Sequence, residues 1–324
     1  EVERGMPRIS DDCRLCGACV SACEHGALVR LEAIRPVMDK SAWKGIMVFA
    51  ELSGNGLHPV SLELIGKAQQ LLKGRGEPVI GVLVGGQLSE YVEELRHYGV
   101  DEVICYQHSA FEGFRADAYA AALEDAVKLR KPSAVLVGAT ALGRSLAPRA
   151  STRLRTGLTA DCTRLELRES GDLIQIRPAF GGNIMAQIVT PFTRPQFATV
   201  RYKVMDARVR REAASGKITW RNAPGAALTS PARHVESRPV PRAASISDAE
   251  VLVVAGRGVR SAGDIAMLRE LAEALGGELA VTRPLVEKGW ESNLRQIGLS
   301  GRTVRPRLII TCGVSGAIQF TACM

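Results

Sequence analysis

The sequence predicts an α/β protein in three parts: a small cysteine-rich module, a doubly wound parallel-sheet domain with added β strands, and a second, shorter α/β domain. Three observations predict it. Four cysteines fall within eleven consecutive residues near the start. From about residue 43, continuous apolar runs of strand length alternate with helix-period segments, the mark of a parallel sheet covered on both faces. The same alternation resumes at 249, after a stretch rich in Pro, Ser, Ala and Arg. At 324 residues the chain also exceeds what one hydrophobic core spans.

Residues 1–34 form the first module. Its Cys13, Cys16, Cys19 and Cys23 are too close to make good disulfide partners and are well spaced as metal ligands. Cys-x2-Cys-x2-Cys-x3-Cys matches the ferredoxin-type run that wraps a cubane 4Fe-4S cluster. Structural zinc usually takes two separated knuckles and is the alternative. Glu24 stands where bacterial ferredoxins place Pro after the last cysteine. In two-cluster ferredoxins the fourth cysteine serves the other cluster, so either these four hold one cluster or a partner run lies upstream of Glu1. One cluster is the reading taken here. Cys105, Cys162, Cys312 and Cys323 are scattered and read as buried thiols.

The second part, residues 40–205, begins with the strand-like WKGIMVFAEL, a glycine turn at 53–56, and a helix from Val60 to Lys73. PVIGVLVGG, DEVICY and SAVLVGAT are further strands, separated by helices over Glu90 to His97 and Ala116 to Lys131. From Gly157 the rhythm changes to period two in LTADCTRLEL, DLIQIRPAF, NIMAQIVT and FATVRYKV, which predicts half-buried antiparallel strands. Residues 206–248 read as a linker or crossing segment. In 249–324, AEVLVVAG, a helix over Ser261 to Leu275, ELAVT and RLIITCGVSG restore the alternation. The chain stops at Met324, where a glycine turn should lead into a helix, so the C-terminal part of this domain is expected to be missing.

Net charge is +8, and it is concentrated: residues 141–242 hold 16 Arg and 2 Lys against 7 acidic residues. These arginines interleave with strand-like and Pro-rich segments and accompany no nucleic-acid motif, so no nucleic acid is expected. Solvated surface, partner docking or a phosphate-bearing cofactor accounts for them better. No window holds 18 uncharged apolar residues, and the opening lacks the apolar core of a signal peptide. The expectation is a cytoplasmic protein with no membrane span.

In the third part, Gly256-Arg257-Gly258 forms the turn between a strand and a helix that Ser261 can cap with Asp264. The glycines let the backbone approach a pyrophosphate, and Arg257 supplies a cation. The turn is not a complete GxGxxG fingerprint, because the next glycine is at 263. Thr282-Arg283, Ile297-Gly298-Leu299-Ser300-Gly301 and Gly313 to Gln319 all lie where strands end, the place at which open α/β sheets bind ligands. Their hydroxyl and backbone donors suit a planar cofactor, with Arg283 stabilising negative charge on a reduced isoalloxazine ring. The five histidines, His25, His58, His97, His108 and His234, are dispersed and no nucleophile–base pair is visible, which fits an electron carrier better than a hydrolase.

Taken in order, TGLTADCT (156–163), RPAFGGNIMAQIVTPFTRPQFATVR (177–201), GRGV, TRP, IGLSGR and GVSGAIQ resemble the alpha subunit of electron-transfer flavoprotein over about residues 43–324. The cysteine-rich extension is similar to the ferredoxin-like module fused to that subunit in anaerobes. The resemblance implies a Rossmann-like FAD-binding domain at 249–324 and a heterodimer with a beta subunit that carries AMP or, in bifurcating forms, a second FAD that meets NADH. It implies that Arg257, Gly258 and Thr282 contact the FAD and that Arg283 lies against the flavin. Ile297, Gly298, Leu299 and Ser300 would follow the ring, with Ser300 near flavin N5. Ser315, Gly316, Ala317, Ile318 and Gln319 would wrap the cofactor. Phe320 stands where most members have His, and Leu299 where Gln is usual. Both changes remove a donor from the flavin and imply a lowered potential. The implied activity is single-electron transfer between FAD and a 4Fe-4S cluster in a bifurcating or confurcating complex. The implied partners are the beta subunit, ferredoxin or flavodoxin, and a flavoprotein dehydrogenase acting on an acyl-CoA or a 2-hydroxy acid. The rival readings are a non-catalytic scaffold with a zinc or degenerate cluster module and a self-sufficient oxidoreductase.

Overall fold

The structure is a computed structural model that describes residues 2–3, 6–7, 13, 16–28, 38–54, 56–179, 184–232, 234–238 and 245–324. Residues 180–183 of the quoted 177–201 stretch, and 233 and 239–244 of the expected linker, lie outside the described residues. The chain divides into two compact units, Glu1–Met38 and Asp39–Met324. In the first, β1 (Val2–Glu3) pairs antiparallel with β2 (Met6–Pro7), and Gly17, in a left-handed conformation, leads into the single turn α1 (Ala18–Ser21).

The second unit contains two parallel sheets. The larger is built on β3 (Ile46–Phe49), which is flanked by the short antiparallel pair β4 (Leu52–Ser53) and β5 (Gly56–Leu57). α2 (Pro59–Leu71), β6 (Val79–Gly85), α3 (Ser89–Arg96), β7 (Glu102–Gln107), α4 (Ala116–Arg130) and β8 (Ala134–Gly138) follow in alternation. The strands of β6 and β8 are buried along their whole length, as their continuous apolar runs require. α2 and α3 seal one face through Leu64, Ile65 and Leu95, and α4 seals the other through Leu123 and Val127.

Three features differ from the sequence expectation. α5 (Ala141–Arg153) follows β8 although it contains Pro148; Thr140 starts it by accepting the Gly143 N–H at 3.0 Å. β9 (Leu158–Cys162) and β13 (Gln196–Val200) are parallel members of the large sheet, whose order is β14-β7-β6-β3-β8-β13-β9. Only β10 (Arg164–Leu167), β11 (Leu173–Ala179) and β12 (Ile184–Ile188) form the expected antiparallel meander. Period-two patterning reports how a strand is buried and says nothing of the direction of its neighbour. Finally, the expected linker contributes β14 (Lys217–Arg221), a parallel edge strand on β7, and α6 (Gly225–Leu228), whose Ala227 is fully buried. Its charged ends suit an edge, where one side of the strand is solvated.

The smaller sheet has the order β17-β16-β15-β18 and is parallel throughout. It comprises β15 (Val251–Ala255), β16 (Glu278–Thr282), β17 (Gln296–Ile297) and β18 (Leu308–Cys312). α7 (Ala262–Ala274) and α8 (Arg283–Glu287) cover one face through Ile265, Leu268 and Leu285. Ile246, Phe320 and Cys323 cover the other, with α9 (Ile318–Thr321) supplying Phe320. Among the described residues no helix is long and apolar enough to cross a membrane.

Candidate functional site

The carboxyl ends of the four strands of the smaller sheet open onto one cavity of about 850 Å3. It sits where the strand order reverses between β15 and β18, the point at which open α/β sheets take ligands. Arg257 and Gly258 line it after β15, and Thr282, Arg283 and Pro284 after β16. Gln296 to Ser300 contribute from β17 onward, and Gly313, Val314, Ser315, Ala317, Gln319 and Phe320 from beyond β18.

Two glycine turns make this approach possible. Gly256 donates its N–H to the Cys312 carbonyl at 2.8 Å, and Gly258 donates to the Gly313 carbonyl at 2.9 Å, so the turns run side by side. A Cβ on Gly256 would strike the Gly313 carbonyl, and one on Gly258 would strike the Gly313 Cα. Ser261 and Asp264 make the expected reciprocal cap of α7, at 3.1 and 3.0 Å. With a carboxylate already at that helix end, Arg257 is the charged group that this turn, with Gly258, brings to the cavity.

The hydroxyls are placed for a ligand. Thr282 precedes α8 without making a side-chain cap, and the Ser300 Oγ accepts from Gln296 Nε2 at 2.9 Å, which leaves its O–H to donate. Arg283 is exposed and bends along α8 to donate to Glu287 at 2.8 Å. Phe320 is buried against Val254 and Ile297, so the floor of the cavity is apolar. Two guanidinium groups, hydroxyls and glycine backbone around an apolar floor fit a planar ring carrying phosphates.

Of the residues singled out from the sequence, the cavity gathers Arg257, Gly258, Thr282, Arg283, Ile297, Gly298, Leu299, Ser300, Ser315, Ala317, Gln319 and Phe320. Gly316 and Ile318 are not on its lining, and Ile318 turns to a separate cleft beside Lys203 and Arg305. Pro284 and Gln296 line the cavity and were not singled out. Pro284 carries a signal, since it follows Thr282-Arg283 directly at a helix start.

In the N-terminal unit, Cys13, Cys16 and Cys19 are exposed and Cys23 is half-buried. The backbone N–H groups of Leu28 and then Ala27 hold the Cys23 thiol below its ordinary range. N–H groups aimed at a cysteine sulfur are the environment of a cluster thiolate. Among the described residues no three His, Cys, Asp or Glu side chains stand as a finished ligand set. Ligands on a short loop are gathered by the metal as it binds. By contrast, burial pushes the Cys105 and Cys162 thiols up to about 12, as expected of inert core groups.

The electron transfer flavoprotein domain matches residues 46–225, more than half of the chain. The chain belongs to the electron-transfer flavoprotein family. That family's FAD-binding domain matches residues 245–324, the segment that builds the cavity, and a 4Fe-4S binding domain matches residues 6–29, the span of the four cysteines. The cofactors are FAD and a 4Fe-4S cluster. The chain is 47% identical over 322 residues to the lactate dehydrogenase (NAD(+),ferredoxin) subunit LctC of Acetobacterium woodii, covering 99% of this chain and 77% of the relative. It is 41% identical over 291 residues to the electron transfer flavoprotein subunit alpha of Clostridium acetobutylicum, covering 89% and 87%. It is 40% identical over 292 residues to the protein FixB of Clostridium saccharobutylicum, covering 89% and 86%. Electron-transfer flavoprotein alpha subunits pair with a beta subunit and with dehydrogenases.

Proposed function

We propose that this chain carries single electrons between an FAD in the β15–β18 cavity and a 4Fe-4S cluster on Cys13, Cys16, Cys19 and Cys23, inside an NADH- and ferredoxin-linked bifurcating or confurcating complex. The observation that carries the reading is the extent of the likeness to the LctC subunit, which takes in 99% of the chain and so includes the cysteine module. The likeness to the Clostridium acetobutylicum alpha subunit stops at 89%. The name of the LctC relative joins NAD(+), ferredoxin and lactate, so the partner dehydrogenase is read as acting on a 2-hydroxy acid. The other partners in this reading are the beta subunit and ferredoxin or flavodoxin.

In this division of labour residues 1–34 hold the cluster, 40–205 pair with the beta subunit and 249–324 bind FAD. FAD supplies one- and two-electron chemistry and the cluster one-electron chemistry. Arg257 and Gly258 would hold the pyrophosphate, with Thr282 and Ser315 as donors beside it. Ser300, its oxygen already accepting from Gln296, would have its O–H free to donate to the ring. Arg283, which lines the cavity, would place its charge at the ring edge where negative charge gathers. The Leu299 and Phe320 side chains bring no donor to that edge, which would lower the potential. The test is iron and acid-labile sulfide analysis, with electron paramagnetic resonance of the dithionite-reduced complex. A signal with iron and sulfide present is expected. Zinc with no signal would overturn the reading.

A further inference from the structure

One polar chain, buried at Arg201 and Cys323 and half-exposed at Asp161, reaches the layer that walls the cavity from the larger sheet. Asp161 takes φ 61°, in the left-handed region, where the register of β9 on β13 shifts. Its N–H donates to Thr199 Oγ1 at 2.8 Å. This turn aims the carboxylate at Arg201, which follows β13: Nε donates to Oδ1 at 3.1 Å and Nη2 to Oδ2. The remaining Nη1 donates to Cys323 Sγ at 3.4 Å. Arg201 is 9% exposed and Cys323 fully buried.

Cys323 lies two residues beyond α9. Its carbonyl accepts from the Val304 N–H at 2.9 Å, and the Gln319 carbonyl accepts from Leu299 at 2.9 Å. The sulfur that Arg201 grips is therefore part of the layer carrying Leu299, Gln319 and Phe320. Two further ties leave the same stretch, Lys203 to Asp248 at 3.6 Å and Asp206 to Arg305 at 2.8 Å. Asp248, Asp206 and Arg305 are well exposed, and such pairs contribute little. Each sheet has its own apolar core, so polar ties of this kind decide how firmly the two halves dock.

We propose that Arg201 is a positioning residue for the cavity: aligned by Asp161 and ending on Cys323, it makes the stance of α9 and of the Leu299 loop depend on docking of the larger sheet. The proposal rests on the cavity's being the FAD site. An arginine suits the task, because its planar fork can satisfy a carboxylate on one edge and a third acceptor on the other, which a lysine cannot do.

The test uses the full chain purified with its beta subunit. Arg201→Met removes the donors at similar length, Cys323→Ala removes the acceptor and leaves the Asp161 pair intact, and Cys323→Ser restores an acceptor. Arg201→Met and Cys323→Ala are expected to alter the visible circular dichroism of bound FAD and to speed FAD release about tenfold. Cys323→Ser is expected to return both toward the unmodified values, a rescue that lost packing alone would not show. In cofactor-free protein, amide exchange over 298–304 and 318–323 should rise in the first two variants while β3 and β6 stay protected. Unchanged spectrum, release and exchange in Cys323→Ala overturn the proposal, even where Arg201→Met fails to fold. An unmodified complex that takes up no FAD overturns the cofactor reading instead, and the exchange measurement then still decides the coupling.

Discussion

Leu299 donates its backbone N–H to the Gln319 carbonyl at 2.9 Å, joining the loop after β17 to α9. Two segments separated by β18 thus form one hydrogen-bonded layer along the cavity.

That layer depends on Gly298, which takes φ 140° and whose Cβ, if added, would stand 3.2 Å from the Gln319 oxygen. Gly298→Ala should cost about 1–3 kcal/mol in the smaller sheet. Thermal unfolding should show a lowered transition, and the FAD content after gel filtration should fall. A variant that melts and retains FAD like the unmodified protein would contradict the role given to this glycine.

Glu63 on α2 is 7% exposed and accepts the Lys203 N–H at 3.2 and 3.0 Å. Burial pushes its carboxyl up to about 7 from an ordinary 4.5, against hydrogen bonds from the Lys203 and Met205 backbone. The folded state binds this proton more tightly than the unfolded state. Its stabilising contribution is full below pH 4.5 and is lost as pH rises through about 7, amounting to a few kcal/mol at most. Urea midpoints from pH 5 to 8 should fall less steeply in Glu63→Gln, and parallel curves would refute the assignment.

Arg194, with only 2% of its side chain exposed, is held by Asp172, which also accepts from Lys40 at 3.0 Å. Burial opposes ionisation of Asp172, yet hydrogen bonds from Lys40, Arg194 and Ser170 outweigh it and keep the carboxyl below its usual range. Its stabilisation is present above pH 3.8 and is lost as pH falls through the depressed value. Asp172→Asn leaves a buried guanidinium without its counter-charge and should cost about 3 kcal/mol. Chemical denaturation at pH 7 measures it.

Gln175 on β11 is fully buried, and neither its Oε1 nor its Nε2 has a hydrogen-bond partner. Its cross-strand neighbours are Leu165 and Ile188. Gln175→Leu should raise stability by about 1 kcal/mol by removing two orphaned polar atoms. A lowered melting temperature would show that the amide is satisfied in solution.

Much of the architecture is legible in the sequence because burial on both faces writes itself as uninterrupted apolar residues, as in Val79–Gly85. The cap by Ser261 and Asp264 is legible because it is complete within four residues. The parallel pairing of β9 and β13 is not, since Phe197 lies next to Val135 and Leu158 only after the intervening chain has returned. β14 was hidden for the same reason: its partner, β7, is more than a hundred residues earlier. In the site, Arg257 and Ser315 were visible from glycine turns at strand ends. Gln296 was not, because its part depends on bonding Ser300.

By itself the sequence determined the local chemistry: four thiols at cluster spacing, glycines where the backbone must come close, and cations at strand ends. The tertiary structure decided which of these meet. It brought four strand ends to one cavity, turned Ile318 away from it, and carried Arg201 across to Cys323. The physical reason is range. Turn, cap and ligand spacing are set by neighbours a few residues apart, whereas strand order and the reach of a buried guanidinium follow from how whole sheets pack.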